Sequence, residues 1–379
     1  MKVSGEWLER PETQAICAVL SSAGWQALPV GGCVRNALMG VPVADVDIAT
    51  DARPETVSDL SKRAGFKVVP TGVEHGTLTV IAGGIPYEIT TFRRDVETDG
   101  RRAVVAFSDR LDEDAARRDF TMNALYARPD GALIDPLGGI ADVLARRVRF
   151  VGDAETRIRE DYLRILRFFR FHAWYGDPAG GLNADGLAAC AALSPGIETL
   201  SRERLGTEMK KLLTAPDPAP AVAAMAMAGV LAQVLPGADH RALAPLVHLE
   251  DGRDPRWQRR LAVLGGKDAA SLLRLSRTEG KELLAIAESA RNDEADAALG
   301  WRLGAVAGAD AVLARSALTG AMPGPDWADE VARGAASRFP VKAADLPELQ
   351  GPQLGARLSA LEDRWLQSGL RLTRADLLR

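Results

Sequence analysis

Sequence patterns typical of β-strands nearly vanish after position 150 of this 379-residue chain. Up to that point, short β-branched and aromatic runs alternate with helix-forming stretches, whereas the remainder has helical periodicity interrupted by proline and glycine. This change in residue pattern predicts an α+β fold with a mixed-sheet head over residues 1–150. It also predicts a helical neck over 151–215, followed by a helical body and tail over 216–379.

Glycine and proline mark the ends of several elements in the head. A Gly-Gly pair separates two predicted strands, Thr77–Ala82 and Ile85–Thr91, and favours a hairpin. The polar stretch 93–110 carries a glycine and mixed charges, so we expect a long loop there. Further strands are predicted at 27–30, 44–49, 124–127 and 132–135, and helices at 33–39 and 54–64.

Composition narrows the classes of protein that this chain can be. Apolar residues make up 47% and charged residues 26%, as in ordinary globular proteins, and the net charge is −4. Nucleic-acid binding would therefore need local positive charge, such as residues 146–170, which carry eight Arg against four Asp and Glu. The three cysteines are too scattered for a disulfide framework or a zinc site.

The N-terminus and the apolar stretches bear on location. Residues 1–10 contain charges and no apolar core, so we expect no signal peptide. The alanine-rich stretch 219–235 is flanked by prolines, and a buried helix explains it better than a membrane span. We therefore expect a cytoplasmic protein with no membrane contact, and no stable protein partner is implied.

Asp45 and Asp47 are one residue apart, just downstream of a glycine-rich turn. On a strand over 44–49 both carboxylates would point to one face, roughly 7 Å apart. Two such carboxylates can hold Mg²⁺, which prefers oxygen ligands together with substrate phosphates. The alternative is a solvated strand face, the commoner role for an isolated pair.

The glycine turn, Gly31-Gly32, lies between a predicted strand and a predicted helix. It lets the backbone approach a ligand closely, and the following helix offers free N–H groups to phosphate. Arg35, one turn into that helix, can add a fork of donors. A Gly-Gly pair here is also common as a plain turn, so the phosphate role depends on the aspartates.

Glu88 is the best candidate for a third carboxylate in a two-metal site. It lies on the second strand of the predicted hairpin, and an ordinary glutamate on an edge strand is an equal alternative. Further along the chain, Arg117-Arg118 precedes Asp119. This group could form a surface ion pair or clamp a triphosphate and a ribose.

The segment 160–171 is the richest in charged and aromatic residues. We expect one long helix from Asp153 to Trp174, on which Asp161, Arg164, Arg167 and Arg170 step by three and form a row. The alternative is a solvated basic face with one Asp–Arg pair.

Five motifs follow one another in a specific order. They are Gly-Gly-x-Val-Arg at 31–35, Asp-x-Asp at 45–47, Arg-Arg-Asp-Phe-Thr-x-Asn-Ala-Leu at 117–125, Asp-Pro-x-Gly-Gly at 135–139 and Glu-Asp-x-Leu-Arg-x-Leu-Arg-x-x-Arg-Phe at 160–171. In this order the sequence resembles the class II (bacterial-type) tRNA nucleotidyltransferase and poly(A) polymerase family. The resemblance covers about residues 27–213. It implies a nucleotidyltransferase (polymerase-β-like) palm followed by an all-helical neck, body and tail.

The resemblance also implies roles for individual residues. Asp45 and Asp47 would hold Mg²⁺, with Glu88 as the candidate third catalytic carboxylate. The nucleotide-binding residues would be Gly31, Gly32, Arg35, Arg118, Asp119, Asp161, Arg164, Arg167 and Arg170. Of these, Asp161 and Arg164 would select the base. The implied partner is tRNA, and the implied substrates are CTP and ATP.

Selection of the base by one Asp–Arg pair is physically reasonable. Cytosine and adenine each present an amino donor beside a ring-nitrogen acceptor, which an Asp acceptor next to an Arg donor can match. Uracil and guanine present a carbonyl oxygen to the carboxylate instead, and each mismatch costs on the order of 1–3 kcal/mol. The chemistry would be in-line attack of an RNA 3′-hydroxyl on the α-phosphate at two metal ions, releasing pyrophosphate.

One residue departs from the family pattern. Asn36 follows Arg35 where the family usually has Asp. The amide keeps the hydrogen-bonding capacity but lacks the charge that would steady Arg35. This puts the orientation of Arg35 in question, but not the metal site.

Several functions compete for these residues. The leading one is addition of C, C and A to the 3′ end of tRNA, and its nearest rival is a poly(A) polymerase of the same family or an enzyme that adds only A. A non-catalytic RNA-binding protein is a remote alternative, which the intact Asp45 and Asp47 disfavour. A dinucleotide oxidoreductase ranks last because the Gly-x-Gly-x-x-Gly fingerprint is missing.

Overall fold

The computed structural model of the chain describes residues 1–73, 76–99 and 102–379. It divides into two compact units, Met1–Leu200 and Ser201–Arg379. The first unit holds every described strand, and the second is built of helices. The predicted α+β class is therefore confirmed. The predicted domain boundaries at 150 and 215 stay predictions. The chain passes from the first unit to the second after Leu200, at neither of these positions.

The strands of the first unit form two sheets in the described residues. The strands are β1 (Leu28–Val30), β2 (Asp47–Thr50), β3 (Lys67–Gly72), β4 (Thr77–Ala82), β5 (Ile85–Thr91), β6 (Arg93–Asp99), β7 (Arg102–Phe107), β8 (Tyr126–Ala127) and β9 (Leu133–Ile134). Seven of them form one mixed sheet in the order β3-β4-β5-β2-β1-β8-β9. Only the β2–β5 pair is parallel in this described sheet, and a parallel pair needs a crossover.

Helices of the first unit follow the local signals in the sequence. They are α1 (Glu6–Glu9), α2 (Pro11–Ser22), α3 (Gly32–Met39), α4 (Pro54–Arg63), α5 (Leu111–Ala116), α6 (Gly139–Leu144), α7 (Ala154–Glu160), α8 (Leu163–Tyr175) and α9 (Ala184–Ala192), with 3₁₀ turns at Thr121–Asn123 and Ser194–Thr199. Helix α4 has Pro54 at its first position, and α7 is capped by Asp153, whose side chain accepts from the Thr156 N–H at 2.8 Å.

The second unit is assembled from helices of very different lengths. They are α10 (Arg202–Leu213), α11 (Ala219–Met227), α12 (Val230–Val234), α13 (Leu243–Glu250), α14 (Trp257–Leu264), α15 (Ala269–Leu272), α16 (Arg277–Ser289), α17 (Asp296–Thr319), α18 (Trp327–Ala336), α19 (Gly351–Gln367) and α20 (Arg374–Leu378), with a 3₁₀ turn at Ala343–Asp345. The alanine-rich stretch is not one helix, because Gly229 at φ 73° separates α11 from α12. Its inner face is nevertheless buried, with Val222, Met225 and Val230 all at 0% exposure.

Helix α17 is the one described helix that is long and apolar enough to cross a membrane by those two criteria. Inside the second unit 56% of its most apolar stretch is buried, as in a core helix. The helix is also broken internally at Gly304, where φ is 79°.

The predicted long loop over 93–110 is wrong. Strands β6 and β7 pair as an antiparallel ribbon from Arg93–Phe107 to Asp99–Arg102, and residues 100 and 101 of the predicted loop lie outside the described residues. The run Arg-Ala-Val-Val-Ala-Phe has ordinary strand propensity, and cross-strand hydrogen bonds satisfy its backbone. The density of charge around this run obscured the strand pattern.

Candidate active site

The two aspartates lie at the start of a central strand of the sheet. Strand β2 begins at Asp47, so Asp45 precedes it, and the predicted strand start at residue 44 is wrong. The alternation of faces nevertheless extends back to Asp45. Asp45 and Asp47 are exposed, whereas Val46 and Ile48 are buried. Both carboxylates therefore lie on the solvent side of the same segment.

Glu88 comes next to Asp47 through the only parallel strand pair of the described sheet. The register of β2 and β5 sets Asp47 directly opposite Glu88. Strand β5 lies between β4 and β2, so the edge-strand interpretation of Glu88 is wrong. The side chain of Glu88 is exposed between buried Tyr87 and Ile89, as is that of Asp47 between its own buried neighbours.

The surroundings of Asp47 disfavour its charged form. Its carboxylate is crowded by protein atoms even though the side chain is exposed. This desolvation, together with Glu88 and Asp45, raises its pKa from 3.8 to about 6, while Arg118 opposes the shift. Carboxylate oxygens are the donors that Mg²⁺ prefers, and a cation would relieve the repulsion. The donor set therefore fits a divalent metal, although no group of three metal-ligating side chains is close enough to form a cluster among the described residues.

The glycine turn joins β1 to α3 at one side of the aspartates. Gly31 has φ 72° and ψ −115°, a conformation that side chains other than glycine rarely adopt. A Cβ at Gly31 would lie 3.5 Å from Nη1 of Arg118 and 3.5 Å from the carbonyl oxygen of Asn123. Gly32 is the first residue of α3, so the free N–H groups at the helix start follow the turn directly.

Arg35 is buried beside this turn, with 5% of its surface exposed. Its Nε and Nη2 donate to Oδ1 of Asn36 at 3.2 and 2.9 Å, and its Nη1 donates to Oδ1 of Asn123. The guanidinium also stacks on Tyr175, 3.9 Å from the ring centroid. Asn36 is itself fixed because its Nδ2 donates to the Pro42 carbonyl at 3.0 Å. The neutral amide therefore orients Arg35 without a carboxylate.

Arg118 and Asp119 are held by different partners. Arg118 donates from Nη2 to Oδ2 of Asp114 at 2.9 Å and from Nε to the hydroxyl of Tyr126 at 3.1 Å. Asp119 accepts from Nε of Arg167 at 2.8 Å and from Nδ2 of Asn123 at 2.9 Å. Burial acts to raise the pKa of Asp119, but Arg167 and these hydrogen bonds outweigh it and hold the pKa below its usual range.

The predicted continuous helix over 153–174 is interrupted at Asp161. This residue has extended φ −157° and ψ 104° between α7 and α8, and its Oδ1 accepts from the Leu163 N–H at 3.1 Å. Asp161 therefore does not share a helical row with the three arginines. Only Arg164, Arg167 and Arg170 lie along α8.

The arginines of α8 have distinct surroundings. Arg164 donates from Nη1 to Oε2 of Glu160 at 2.5 Å and to the Arg157 carbonyl at 2.8 Å, and from Nη2 to the Arg117 carbonyl at 3.4 Å. Arg170 stacks on the ring of Phe171, 4.5 Å from its centroid. Asp161 and Arg164 are thus both fixed close to the α7–α8 junction.

Sequence reasoning missed four residues that support this site: Asp114, Asn123, Tyr126 and Tyr175. A signal existed for Asp114, because it precedes Arg117 by three and Arg118 by four residues, the spacing of helical ion pairs. Tyr126 and Tyr175 gave no local signal, since only folding brings their side chains to Arg118 and Arg35.

Comparisons with known proteins agree with this architecture. The Poly A polymerase head domain family matches residues 27–149, and the family described as probable RNA and SrmB-binding site of polymerase A matches residues 182–241. The CCA-adding enzyme of Geobacillus stearothermophilus is 35% identical over 346 residues, covering 87% of this chain and 83% of the relative. The mitochondrial CCA tRNA nucleotidyltransferase 1 of Mus musculus is 44% identical over 185 residues, which cover 48% of this chain and only 43% of the relative.

Solved structures extend the likeness over nearly the whole chain. The Bacillus stearothermophilus CCA-adding enzyme in complex with CTP superposes with a TM-score of 0.78 at 32% identity, covering 94% of this chain and 92% of that one. The Thermotoga maritima CCA-adding enzyme complexed with tRNA shares the fold, with a TM-score of 0.70 at 20% identity, covering 100% of this chain and 97% of that one. These matches confirm the predicted resemblance, and the chain belongs to the class II family of CCA-adding enzymes and poly(A) polymerases.

Proposed function

We propose that this protein adds C, C and A to the 3′ end of tRNA without a nucleic-acid template, using CTP and ATP and releasing pyrophosphate. The observation that carries the proposal is the register of Asp47 with Glu88, beside a glycine turn that Arg118 faces. CCA-adding relatives at 35% identity over most of the chain support the same activity. The chain spans less than half the length of the mammalian relatives that it matches.

Asp45, Asp47 and Glu88 are proposed to hold the metal. Members of the family generally use a divalent ion, and the carboxylate donors of this chain suit Mg²⁺. When bound, Mg²⁺ would lower the pKa of the RNA 3′-hydroxyl and neutralise charge on the leaving pyrophosphate. The protein's own contribution is to place two or three carboxylates on the solvent side of one sheet before any ligand binds.

The triphosphate is proposed to bind at the start of α3. Gly31 and Gly32 leave room for a phosphate close to the backbone, and the free N–H groups of the helix start favour an anion. Arg35 and Arg118 flank the turn with guanidinium groups that are already oriented by neighbouring side chains. Asp119 accepts hydrogen bonds from Arg167 and Asn123, and it would act by fixing these two side chains.

Base selection is proposed for Asp161 and Arg164. Asp161 is anchored by one oxygen at the α8 start, and Arg164 is anchored by Glu160 and the Arg157 carbonyl. A nucleobase would most easily replace the 3.4 Å contact of Arg164 with the Arg117 carbonyl, because it is the longest. Arg167 and Arg170 would support this region from the next turns of α8.

tRNA binding would depend on local basic surface, because the whole chain carries a net charge of −4. Residues 146–170 have a local excess of arginine, so affinity is expected to fall steeply with salt. A cytoplasmic location, the absence of membrane contact and the absence of a stable protein partner stay predictions.

One experiment separates the main function from its rivals within the family. A tRNA lacking its 3′-CCA is incubated with each labelled nucleotide alone and in combination, and the products are sized. We expect CTP to add two residues, ATP then to add one, and UTP and GTP to add none. Long tails from ATP alone would instead identify a poly(A) polymerase.

The same assay tests the carboxylates with a matched pair of variants. Asp47→Asn is expected to abolish incorporation. Asp51→Asn, just beyond the end of β2, is expected to retain it because Asp51 only accepts from the Gln26 N–H and side chain. Full activity of Asp47→Asn would revive the non-catalytic RNA-binding alternative.

A further inference from the structure

Asp114 is a buried carboxylate with three donors. It lies on α5 with 1% of its surface exposed. Its Oδ1 accepts from Nε of Arg117 at 3.0 Å, and its Oδ2 accepts from Nη2 of Arg118 at 2.9 Å and from the hydroxyl of Tyr126 at 2.7 Å. Burial acts to raise the pKa of Asp114, but the two arginines outweigh it and hold the pKa below its usual range, so the group is an anion at neutral pH.

Arg118 is held by several hydrogen bonds in this arrangement. Besides Asp114, its Nε donates to Tyr126 at 3.1 Å and its Nη1 donates to the Asn123 carbonyl at 3.4 Å. The same Nη1 lies 3.5 Å from where a Cβ on Gly31 would be, and Arg118 lowers the pKa of Asp47. Arg118 therefore stands between the glycine turn and the carboxylates with its guanidinium plane fixed.

Asp114 pairs with two guanidinium groups, those of Arg117 and Arg118, so its single negative charge is shared between them. The Arg118 side chain is 19% exposed. A guanidinium at such a partly buried position favours an anionic ligand, because solvent screens its charge less than it would on an open surface.

We propose that Asp114 is the positioning residue that aims Arg118 at the triphosphate of the incoming nucleotide, with the Tyr126 hydroxyl as its second support. Asp114 acts through Arg118, and it touches neither the nucleotide nor the reacting atoms. The inference rests on the proposed function, since it assigns the ligand of Arg118 as a nucleoside triphosphate. It also explains why a buried acid lies on α5.

Nucleotide binding without tRNA tests the proposal. CTP affinity is measured by calorimetry for the wild type and for Asp114→Asn, Tyr126→Phe, Arg118→Ala and Asp114→Asn/Arg118→Ala. Asp114→Asn is expected to weaken CTP binding about tenfold or more, and Tyr126→Phe less, because the ion pair with Arg118 is lost in the first case only. In the Arg118→Ala background the loss from Asp114→Asn is expected to vanish, since its effect runs through Arg118.

Asp310→Asn is the matched control. Asp310 is also 1% exposed and also shared by two arginines, accepting from Nε of Arg256 at 2.7 Å and Nη1 of Arg259 at 2.8 Å, but it belongs to the second unit. It is expected to lower thermal stability without changing CTP affinity. A loss of CTP affinity in Asp310→Asn equal to that in Asp114→Asn would show a merely structural effect and overturn the proposal.

Two further outcomes would also overturn it. One is unchanged CTP affinity in Asp114→Asn, and the other is an additive loss in the double variant. If Asp114→Asn does not fold, Tyr126→Phe with and without Arg118→Ala supplies the same cycle. CTP binding is measured without RNA, so a failure of the Asp114 proposal can be told apart from a failure of CCA addition. The product-sizing assay reports CCA addition separately.

In turnover assays the same variants separate positioning from folding. With a tRNA lacking CCA, Asp114→Asn is expected to raise the KM for both CTP and ATP by about tenfold while kcat changes less, because the triphosphate is common to both. A fall in kcat with unchanged KM would contradict the assignment.

Discussion

Replacing Asp47 with asparagine is expected to stabilise the metal-free fold while abolishing nucleotide addition. Asp47 carries a carboxylate beside Glu88 and Asp45, in surroundings that desolvate it and raise its pKa to about 6. The amide has nearly the same shape without the charge. The substitution therefore removes the cost of holding an ionised carboxylate in these surroundings, which a bound cation would also offset, as functional sites often store destabilising interactions.

The stability that Asp47→Asn is expected to gain follows from the difference between the pKa of Asp47 in the folded and in the unfolded state. A rise from 3.8 to about 6 corresponds to an upper bound of about 3 kcal/mol, at about 1.4 kcal/mol per unit. Because the side chain is exposed, solvent screening reduces this, and we expect about 1 kcal/mol. The folded state holds the Asp47 proton more tightly than the unfolded state does. The destabilisation by the ionised Asp47 carboxylate is therefore absent below about pH 4 and grows between about pH 4 and 6. Above about pH 6 this destabilisation is complete.

Urea unfolding in EDTA, followed by tryptophan fluorescence at about pH 8 and at about pH 4, measures the effect. The free energy of unfolding of Asp47→Asn should exceed that of the wild type at the higher pH and match it at the lower one. Added Mg²⁺ should narrow the gap by stabilising the wild type selectively. Asp51→Asn serves as the matched Asp-to-Asn control outside the group of Asp45, Asp47 and Glu88. An Asp47→Asn protein that is less stable than the wild type in EDTA at the higher pH would refute the reasoning.

Other substitutions test packing away from the carboxylates. Gly196→Ala should destabilise the fold by about 1–3 kcal/mol, since its Cβ would lie 1.9 Å from the ring of Tyr162. Thermal unfolding measures this, and Gly355→Ala, which meets nothing within 4 Å, should leave the melting temperature unchanged or slightly higher. Arg260→Met should cost about 3–5 kcal/mol in urea, because Arg260 is 1% exposed and its loss removes one of the two arginines that pair with buried Glu250. It also removes the donor to the carbonyls of Leu213, Ala215 and Pro216. A cost below about 1 kcal/mol would show that Arg259 satisfies Glu250 without Arg260.

Much of the head could be predicted from local pattern. The strands Thr77–Ala82 and Ile85–Thr91 were placed correctly because they combine β-branched residues with a Gly-Gly turn. Gly31 at positive φ and the alternation through Asp45 and Asp47 likewise follow from the residues themselves. The predictions fail where a neighbour distant in sequence sets the backbone. The break at Asp161 accompanies a Tyr162 ring that packs directly on Gly196, which local helical periodicity does not reveal.

The residues able to do chemistry, and the face of the element that they share, can be identified from the sequence alone, because side-chain alternation and glycine conformations are local properties of the chain. Contacts between these residues depend on the tertiary fold. Asp47 lies opposite Glu88 because β2 and β5 pair in parallel, and Asn123 and Tyr175 contact Arg35 because separate helices and turns pack together. Such pairings depend on the register and packing of elements far apart in the chain, and local sequence periodicity carries no information about them.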